Sequence, residues 1–188
     1  MKSYIVQAIR LTVVLTILLC ILYPAFIAFA GKFSNGNGNG ETISLNGKVV
    51  GYANLAQKFD KPKYFWGRPS AVQYNAAGSA GSNKGPTNPD YLKEVNNRVD
   101  TLLKYHPYLK RNDIPADLVT ASGSGLDPDI SLNAALIQVK RVAQVRNLDE
   151  QKLNDLIAAQ TEKPLWGLFG PGARVNVLKL NVALDQMK

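Results

Sequence analysis

Cysteine is nearly absent from this 188-residue chain, because the only one, Cys20, lies in a strongly apolar segment near the N-terminus. The chain therefore has no second thiol with which to form an internal disulfide. Outside the apolar segment it also has no thiol to bind structural zinc or to act as a nucleophile. Any domain that follows this segment must be stabilised by side-chain packing rather than by cross-links.

Motifs for binding nucleotides, metals and nucleic acids are lacking as well. Residues 78–85 contain glycine and Lys84, but they have neither the spacing of a phosphate-binding loop nor its strand–loop–helix setting. Asp127 and Asp129 are too few ligands for a calcium loop, and we expect Asp127 to cap a turn. The 22 basic residues outnumber the 14 acidic ones but are scattered, which argues against nucleic acid as a partner.

The strongest feature that is present is an uncharged apolar segment, residues 11–31. As a helix its 21 residues span about 31 Å, close to the thickness of the hydrocarbon core of a bilayer. Thr12 and Thr16 can return their hydroxyls to the preceding turn, and Pro24 is expected to kink the helix without breaking it. The segment predicts one transmembrane helix.

A cleaved signal peptide is the alternative, because residues 28–30, Ala-Phe-Ala, precede Gly31 in the pattern that signal peptidase accepts. The apolar run is longer than the roughly 7 to 15 residues of a signal peptide, which favours a retained anchor. Lys2 and Arg10 precede the helix, whereas only Lys32 closely follows it. The positive-inside rule then places the N-terminus in the cytoplasm and the rest of the chain outside it.

Three parts of the chain are predicted. Residues 1–32 form the cytoplasmic N-terminus and transmembrane helix, residues 33–41 a flexible Gly- and Asn-rich tether, and residues 42–188 a soluble extracytoplasmic domain. The predicted fold class is α+β, with the single N-terminal transmembrane helix followed by a small mixed α/β periplasmic domain.

Local signals predict the elements of this domain. The first three are a hairpin over 42–52 that turns at Asn46-Gly47, a helix over 89–105 capped by Asn88, and a short strand over 117–120. A helix capped by Ser131 then runs to about Arg146 and ends in a left-handed turn at Asn147. The last elements are a helix capped by Asp149, with Leu148 and Leu153 as a hydrophobic staple, and a strand that becomes a helix after Asn176.

Residues 64–89 form an aromatic- and glycine-rich stretch with neither helical nor strand periodicity. A structureless loop of about 25 residues is uncommon in a compact domain unless it has a function. We therefore expect an ordered loop whose side chains bind its own backbone or a partner. Arg68 is the residue in this loop most indicative of a binding function, since a guanidinium beside aromatic rings can stack on them or bind a carboxylate or carbonyls. The alternative is that Arg68 only stabilises its own loop.

The only histidine, His106, stands at a predicted helix end, where a solvated or capping histidine is common. Ser124, in Ser122-Gly123-Ser124-Gly125, resembles a nucleophile elbow, although the residue two before it is serine instead of glycine. A membrane-anchored periplasmic hydrolase that uses Ser124 and His106 is therefore kept as the alternative function.

A series of short motifs in a fixed order resembles one known family. The motifs are Gln57 with Phe59, Tyr64-Phe65, Gly67-Arg68-Pro69-Ser70-Ala71, Gly81-Ser82-Asn83, Asn88-Pro89, Leu118-Val119-Thr120-Ala121-Ser122, Ser124-Gly125-Leu126-Asp127, Gln138 with Arg141-Val142-Ala143, Asn176-Val177, Leu180-Asn181 and Ala183-Leu184-Asp185. Following one anchor, they resemble the C subunit of the Kdp-type potassium-transporting ATPase over nearly the whole chain.

The resemblance implies a non-catalytic accessory subunit of a high-affinity, ATP-driven potassium uptake complex in the bacterial inner membrane. The implied partners are a channel-like K⁺-binding subunit, an ATP-hydrolysing P-type subunit and a small fourth peptide. Family members are described as catalytic chaperones that raise the ATP affinity of the hydrolysing subunit. We therefore expect no tightly bound cofactor, no metal and no catalytic residue in this chain, with ATP reached only through that subunit.

The predicted orientation favours a second, topological role, in which the domain covers the outer mouth of the K⁺-binding subunit and promotes assembly and stability. The candidate contact residues are Arg68, Ser70, Ser82, Asn83 and, more weakly, Gln138. Two positions depart from the family pattern. Ala80 and Asp129 stand where many members have glycine and histidine, so no role of that histidine carries over.

Overall fold

The computed structural model describes residues 2–164, 166–170 and 172–187, and the chain divides into two compact units, residues 1–42 and 43–188. The first unit is a helix in three parts: α1 (Lys2–Thr16), a π-helical part (Ile17–Leu22) and α2 (Tyr23–Gly31). The stretch Tyr4–Gly31 has a mean hydropathy of 2.6 over its most apolar window. Its 28 residues span about 42 Å, so it is long and apolar enough to cross a membrane.

Pro24 widens this helix without ending it. Proline lacks the N–H that would continue the hydrogen-bond ladder, and its ring crowds the turn before it. The six residues before Tyr23 are π-helical, and the Tyr23 N–H donates to the Leu18 carbonyl, five residues earlier. Wider turns of this kind absorb a local break in the ladder. The hydroxyl of Thr12 donates to the Ala8 carbonyl at 2.9 Å, as the sequence predicted.

The predicted hairpin is confirmed as β1 (Thr42–Leu45) and β2 (Lys48–Tyr52). Asn46 and Gly47 join the strands with φ angles of 52° and 77°. Two left-handed residues in succession form the turn whose twist matches that of a hairpin.

The helices of the second unit are α3 (Pro89–Tyr105), α4 (Leu132–Leu136), α5 (Val139–Arg146), α6 (Glu150–Gln160) and α7 (Val177–Gln186). The predicted caps are confirmed, since Asn88, Ser131 and Asp149 each accept a hydrogen bond from the first turn of the helix that follows. Asn176 caps α7 in the same way. Asn147 ends α5 in the left-handed region, with φ 54° and ψ 46°.

A three-stranded antiparallel sheet packs against these helices. Its strands are β3 (Asp129–Ser131), β4 (Thr161–Glu162) and β5 (Arg174–Asn176), in the order β3-β5-β4. Ile130 lies opposite Val175, and both are buried. The predicted strand that becomes a helix after Asn176 is thus confirmed, and the mixed helix-and-strand class with it. The core is formed by Phe65, Val99, Leu102, Leu118, Ile130, Val139, Val142, Leu153, Ile157, Val175, Leu180 and Leu184.

The predicted strand over 117–120 is wrong, because Ala116–Leu118 is a single 3₁₀ turn. The Thr120 N–H donates to the Ala116 carbonyl at 2.9 Å, which keeps the backbone coiled. The Asp117 carboxylate accepts from the N–H of Ser131 at 2.7 Å and from its hydroxyl at 3.3 Å. Asp117 therefore closes the end of β3 through its side chain and does not add a strand.

The predicted single helix from Ser131 to Arg146 is also wrong, since it is divided into α4 and α5. The cause is a tyrosine that lies about 30 residues away in sequence. Tyr108 donates its hydroxyl hydrogen to the Ile137 carbonyl at 2.8 Å and accepts from the Arg141 N–H at 3.2 Å. In a continuous helix that N–H and that carbonyl would bind each other, so the hydroxyl inserts into the ladder and breaks the helix there.

Candidate partner-binding site

Residues 62–66, a turn that leads into an irregular stretch, lie on the helices and are held by side chains instead of by a neighbouring strand. Asn181 of α7 accepts from the Phe65 N–H and donates to the Phe65 carbonyl, both at 2.9 Å. Gln138 does the same for Trp66, at 2.7 and 3.2 Å. The two amides thereby satisfy backbone groups that a sheet would otherwise pair.

Arg141 of α5 completes this arrangement from inside the core. It is only 3% exposed. Its guanidinium donates to the carbonyls of Pro62 and Tyr64, and to the Gln138 side-chain oxygen at 2.8 Å. Its Cζ lies 4.3 Å from the centroid of the Trp66 ring, within cation–π range. Burial lowers the pKa of Arg141 to about 10, so the group is still charged at neutral pH. We call Gln138, Arg141, Asn181 and His106 the clasp.

His106 is the least expected member of the clasp. It occupies the C-cap position of α3, as predicted, but it is fully buried rather than solvated. Nδ1 lies 2.8 Å from the Leu102 carbonyl and Nε2 2.9 Å from Arg141 Nε. Since arginine only donates and a carbonyl only accepts, the ring must be neutral with its proton on Nδ1. Burial, reinforced by the charge of Arg141, lowers the pKa of His106 to about 4.

This geometry gives the hydrolase alternative no support. Both ring nitrogens of His106 are already engaged, one by the Leu102 carbonyl and the other by Arg141. The Ser124 hydroxyl oxygen instead accepts a hydrogen bond from the Leu126 N–H at 3.1 Å. A base must reach the hydroxyl that it activates, directly or through one water.

Beyond Trp66 the chain enters two loops that pack together, residues 67–83 and 120–127, which we call the double loop. The loops bring together sequence motifs that lie up to 60 residues apart, and they are joined by side-chain and backbone bonds. These are Arg68 Nη1 to Asp127 Oδ2 at 2.8 Å, the Ser122 N–H to the Pro69 carbonyl at 3.1 Å, and the Ser79 hydroxyl to the Ser124 carbonyl at 2.9 Å.

Glycine makes this packing possible at two positions. A Cβ on Gly81 would lie 2.9 Å from the Gly123 carbonyl oxygen. A Cβ on Gly125, where φ is +69°, would lie 2.7 Å from the Ala80 carbonyl oxygen. Both contacts are with backbone, which cannot move aside as a flexible side chain can. The two loops therefore approach more closely than any other residue would allow.

One turn of the double loop is strained. Gln73 and Tyr74 are successive non-glycine residues in the left-handed region, with φ of 54° and 60°. Ser70 Oγ accepts from the Tyr74 N–H at 2.9 Å, and the Tyr74 hydroxyl donates to the Arg68 carbonyl at 2.9 Å. Such conformations persist where surrounding contacts hold them, and they concentrate at functional sites.

Four of the five predicted contact residues lie in the double loop. Arg68 binds Asp127, and Ser70 holds the strained turn. Ser82 is half-buried, while Asn83 is exposed and left-handed, with φ 53°. The fifth, Gln138, is fully buried in the clasp, where it binds the backbone of Trp66.

A groove of about 470 Å³ opens beside the double loop. Its lining combines four aromatic residues with Arg98 of α3; the rings are those of Phe59, Trp66, Tyr74 and Tyr105. A second pocket, next to Arg68, is lined by Asp117, Asp127, Asp129 and Arg174. Within residues 2–164, 166–170 and 172–187, no group of three or more His, Cys, Asp or Glu is placed to hold a metal ion.

Comparison with known proteins identifies one family over nearly the whole chain. The family model described as "KdpC: K⁺-transporting ATPase, c chain" matches residues 5–186. A potassium-transporting ATPase KdpC subunit from Flavobacterium johnsoniae is 60% identical over 179 residues, which cover 95% of this chain and 96% of that protein. The KdpC subunit from Flavobacterium psychrophilum is 56% identical over 98% of both chains. The one from Paraburkholderia xenovorans is 46% identical over 100% of this chain and 99% of its own.

The clasp predicts a large loss of stability when one amide is removed. Asn181→Ala leaves the buried N–H and carbonyl of Phe65 without partners, which should lower the free energy of unfolding by about 2–4 kcal/mol. Urea unfolding of the full chain in detergent micelles, followed by tryptophan fluorescence, measures this loss. The matched control, Asn112→Ala at an exposed position, should change stability by less than about 0.5 kcal/mol. Similar losses in the two variants would contradict the role given to the clasp.

Acid should weaken the clasp through His106. Below about pH 6.5 the unfolded state takes up a proton on this histidine, whereas the folded state, with a pKa of about 4, does not. The unfolded state then binds more protons, so stability is full above about pH 6.5 and falls by about 2 kcal/mol by pH 5. The same urea titration at the two pH values tests this. His106→Gln should remove the pH step, and a step that persists in that variant would refute the assignment.

Proposed function

The chain belongs to the KdpC family of K⁺-transporting ATPase c chains, and we propose that it acts as a non-catalytic accessory subunit that promotes the assembly and stability of such a complex. In this proposal the N-terminal helix anchors the chain in the bacterial inner membrane, with the N-terminus in the cytoplasm and the second unit in the periplasm. The excess of positive charge before the helix supports that orientation.

The observation that carries the proposal is the double loop, an irregular surface that the domain holds rigidly by its own contacts. Residues 75–80 and 83–87 are exposed, yet the loops around them are fixed by the Arg68–Asp127 pair, by Ser70 and by close glycine packing. A surface ordered before binding loses little conformational entropy when a partner docks. The aromatic groove beside it offers room for side chains of that partner.

We assign this surface to the channel-like K⁺-binding subunit, whose outer mouth the domain would cover, with Arg68, Ser70, Ser82 and Asn83 forming or shaping the contact. The ATP-hydrolysing P-type subunit and the small fourth peptide complete the proposed complex. Gln138 contributes indirectly, because it binds the backbone of Trp66 at the start of the double loop.

We further propose that any rise in the ATP affinity of the hydrolysing subunit is transmitted through the complex, without ATP bound to this chain. A periplasmic domain does not meet cytoplasmic ATP. In the pocket beside Arg68, the arginines Arg68 and Arg174 are already paired with Asp127 and Asp129, and Asp117 adds a further acidic side chain, so the pocket offers no excess positive charge to a triphosphate. The proposal therefore includes no tightly bound cofactor.

Photo-crosslinking tests the contact surface directly. The full complex is purified through a tag on this chain, with a photoreactive amino acid at Asn83 in the double loop or at Lys152, an exposed residue of α6. A crosslink from Asn83 to the K⁺-binding subunit, with little or none from Lys152, is expected. Failure of the subunits to co-purify would reject the accessory role itself. Co-purification with equal crosslinking from both positions would reject only the assigned surface.

Protease treatment tests the orientation. Added to intact spheroplasts, a protease should degrade the second unit and leave a membrane-protected fragment that contains the anchor helix. Protease added to inverted vesicles should leave the domain intact. The reverse pattern would place the domain in the cytoplasm and would reopen direct contact with ATP.

A further inference from the structure

The loop that joins β4 to β5 carries large apolar side chains that the described parts of the domain leave exposed. Trp166 is 83% exposed, Leu168 82% and Phe169 58%. A soluble domain usually leaves such side chains exposed singly, whereas three within four residues mark an interaction surface. We call Trp166, Leu168 and Phe169 the apolar tip.

The apolar tip is open to solvent, although Phe169 also lines a pocket together with Lys163 and Arg174. A Cβ built on Gly167, Gly170 or Gly172 would meet no heavy atom within 4 Å, so the backbone at these three positions faces open space. The rings of Trp166 and Phe169 are in edge contact, with centroids 6.1 Å apart. The tip is therefore a small, exposed apolar cluster with an aromatic contact of its own.

The charges around the base of this loop are mainly basic. Lys163 directly precedes the loop. Two acidic residues lie at the base: Glu162 is paired with Arg174 at 3.0 Å and with Lys179 at 3.6 Å, and Asp129 is paired with Arg174 at 3.1 Å. Both negative charges are thus offset by basic partners, and Lys163 adds a further positive charge beside the loop.

We propose that the apolar tip inserts into the headgroup region of the same bilayer that holds the anchor helix. Tryptophan, phenylalanine and leucine beside basic residues are the side chains that enter membrane interfaces. The nine residues 33–41 extend to at most about 30 Å, so the anchor keeps the domain close to the lipid surface. A weak apolar contact suffices at the high effective concentration that this tether provides.

A hydrophobic pocket on a partner protein is the alternative binding site for the apolar tip, and the tip fits such a pocket less well than it fits a lipid surface. Its side chains are exposed beside the positive charge of Lys163, a combination that suits the anionic lipids of a bacterial membrane. The inference requires the anchor but none of the proposed partner subunits. A negative result for membrane insertion of the tip would therefore leave the accessory role intact. A negative result for the accessory role would likewise leave membrane insertion intact.

Fluorescence quenching by lipid tests the inference on the full chain. The chain is reconstituted alone into vesicles of phosphatidylethanolamine and phosphatidylglycerol, with or without lipids brominated near the top of the acyl chain. The protein has two tryptophans, so the emission of Trp166 is the difference between wild type and Trp166→Phe. Bromolipid should remove roughly half or more of this emission, because an interfacial side chain lies about 5–10 Å deep.

Two further variants make the result specific. Leu168→Ser/Phe169→Ser keeps the reporter but removes its apolar neighbours, and should reduce the quenching of Trp166 about twofold or more. Trp166→Phe/Val145→Trp moves the reporter to an exposed position on α5, where bromolipid should have little effect.

Quenching of Trp166 by aqueous iodide but not by bromolipid would overturn the inference. So would equal bromolipid quenching at positions 166 and 145, since the contact would then be general to the domain. Shielding of Trp166 that arises only when the partner subunits are added would assign the tip to a protein contact and reject the lipid.

Discussion

The buried guanidinium of Arg141 is the constraint around which the second unit is built. A charge taken out of water destabilises a fold by several kcal/mol unless its donors are satisfied. Here the acceptors are two backbone carbonyls, the oxygen of Gln138 and the ring nitrogen of His106. Each of these must therefore keep its place, and the segment before Trp66 is held on the helices as a result.

The clasp also explains how a surface loop without regular structure becomes ordered. Trp66 is held on both sides, by the amide of Gln138 on its backbone and by the Arg141 guanidinium over its ring. Arg68 follows two residues later and reaches Asp127 in the second loop. The shape of the proposed contact surface is thus set from inside the core, by the buried residues of the clasp.

Local signals predicted the parts of this fold that depend on neighbouring residues. The caps at Asn88, Ser131 and Asp149 follow from side chains that bind backbone within a few positions, and the Asn46-Gly47 turn follows from two residues that tolerate the left-handed region. The break between α4 and α5 does not, since it depends on a hydroxyl from Tyr108 that only the folded chain brings there. The sequence likewise predicted an ordered loop but not the clasp. The only signal for it is that Gln138 and Arg141 interrupt the apolar face of a helix.

One property of the clasp bears on the conditions in which the protein works. The described partners of the Arg141 side chain are all neutral, so no opposite charge within the clasp is available for dissolved ions to compete with. Ionic strength weakens exposed ion pairs such as Lys58–Asp60 but has little access to a buried charge bound by dipoles. The clasp is therefore built to be indifferent to salt, whereas the partly exposed Arg68–Asp127 pair of the double loop is more open to screening.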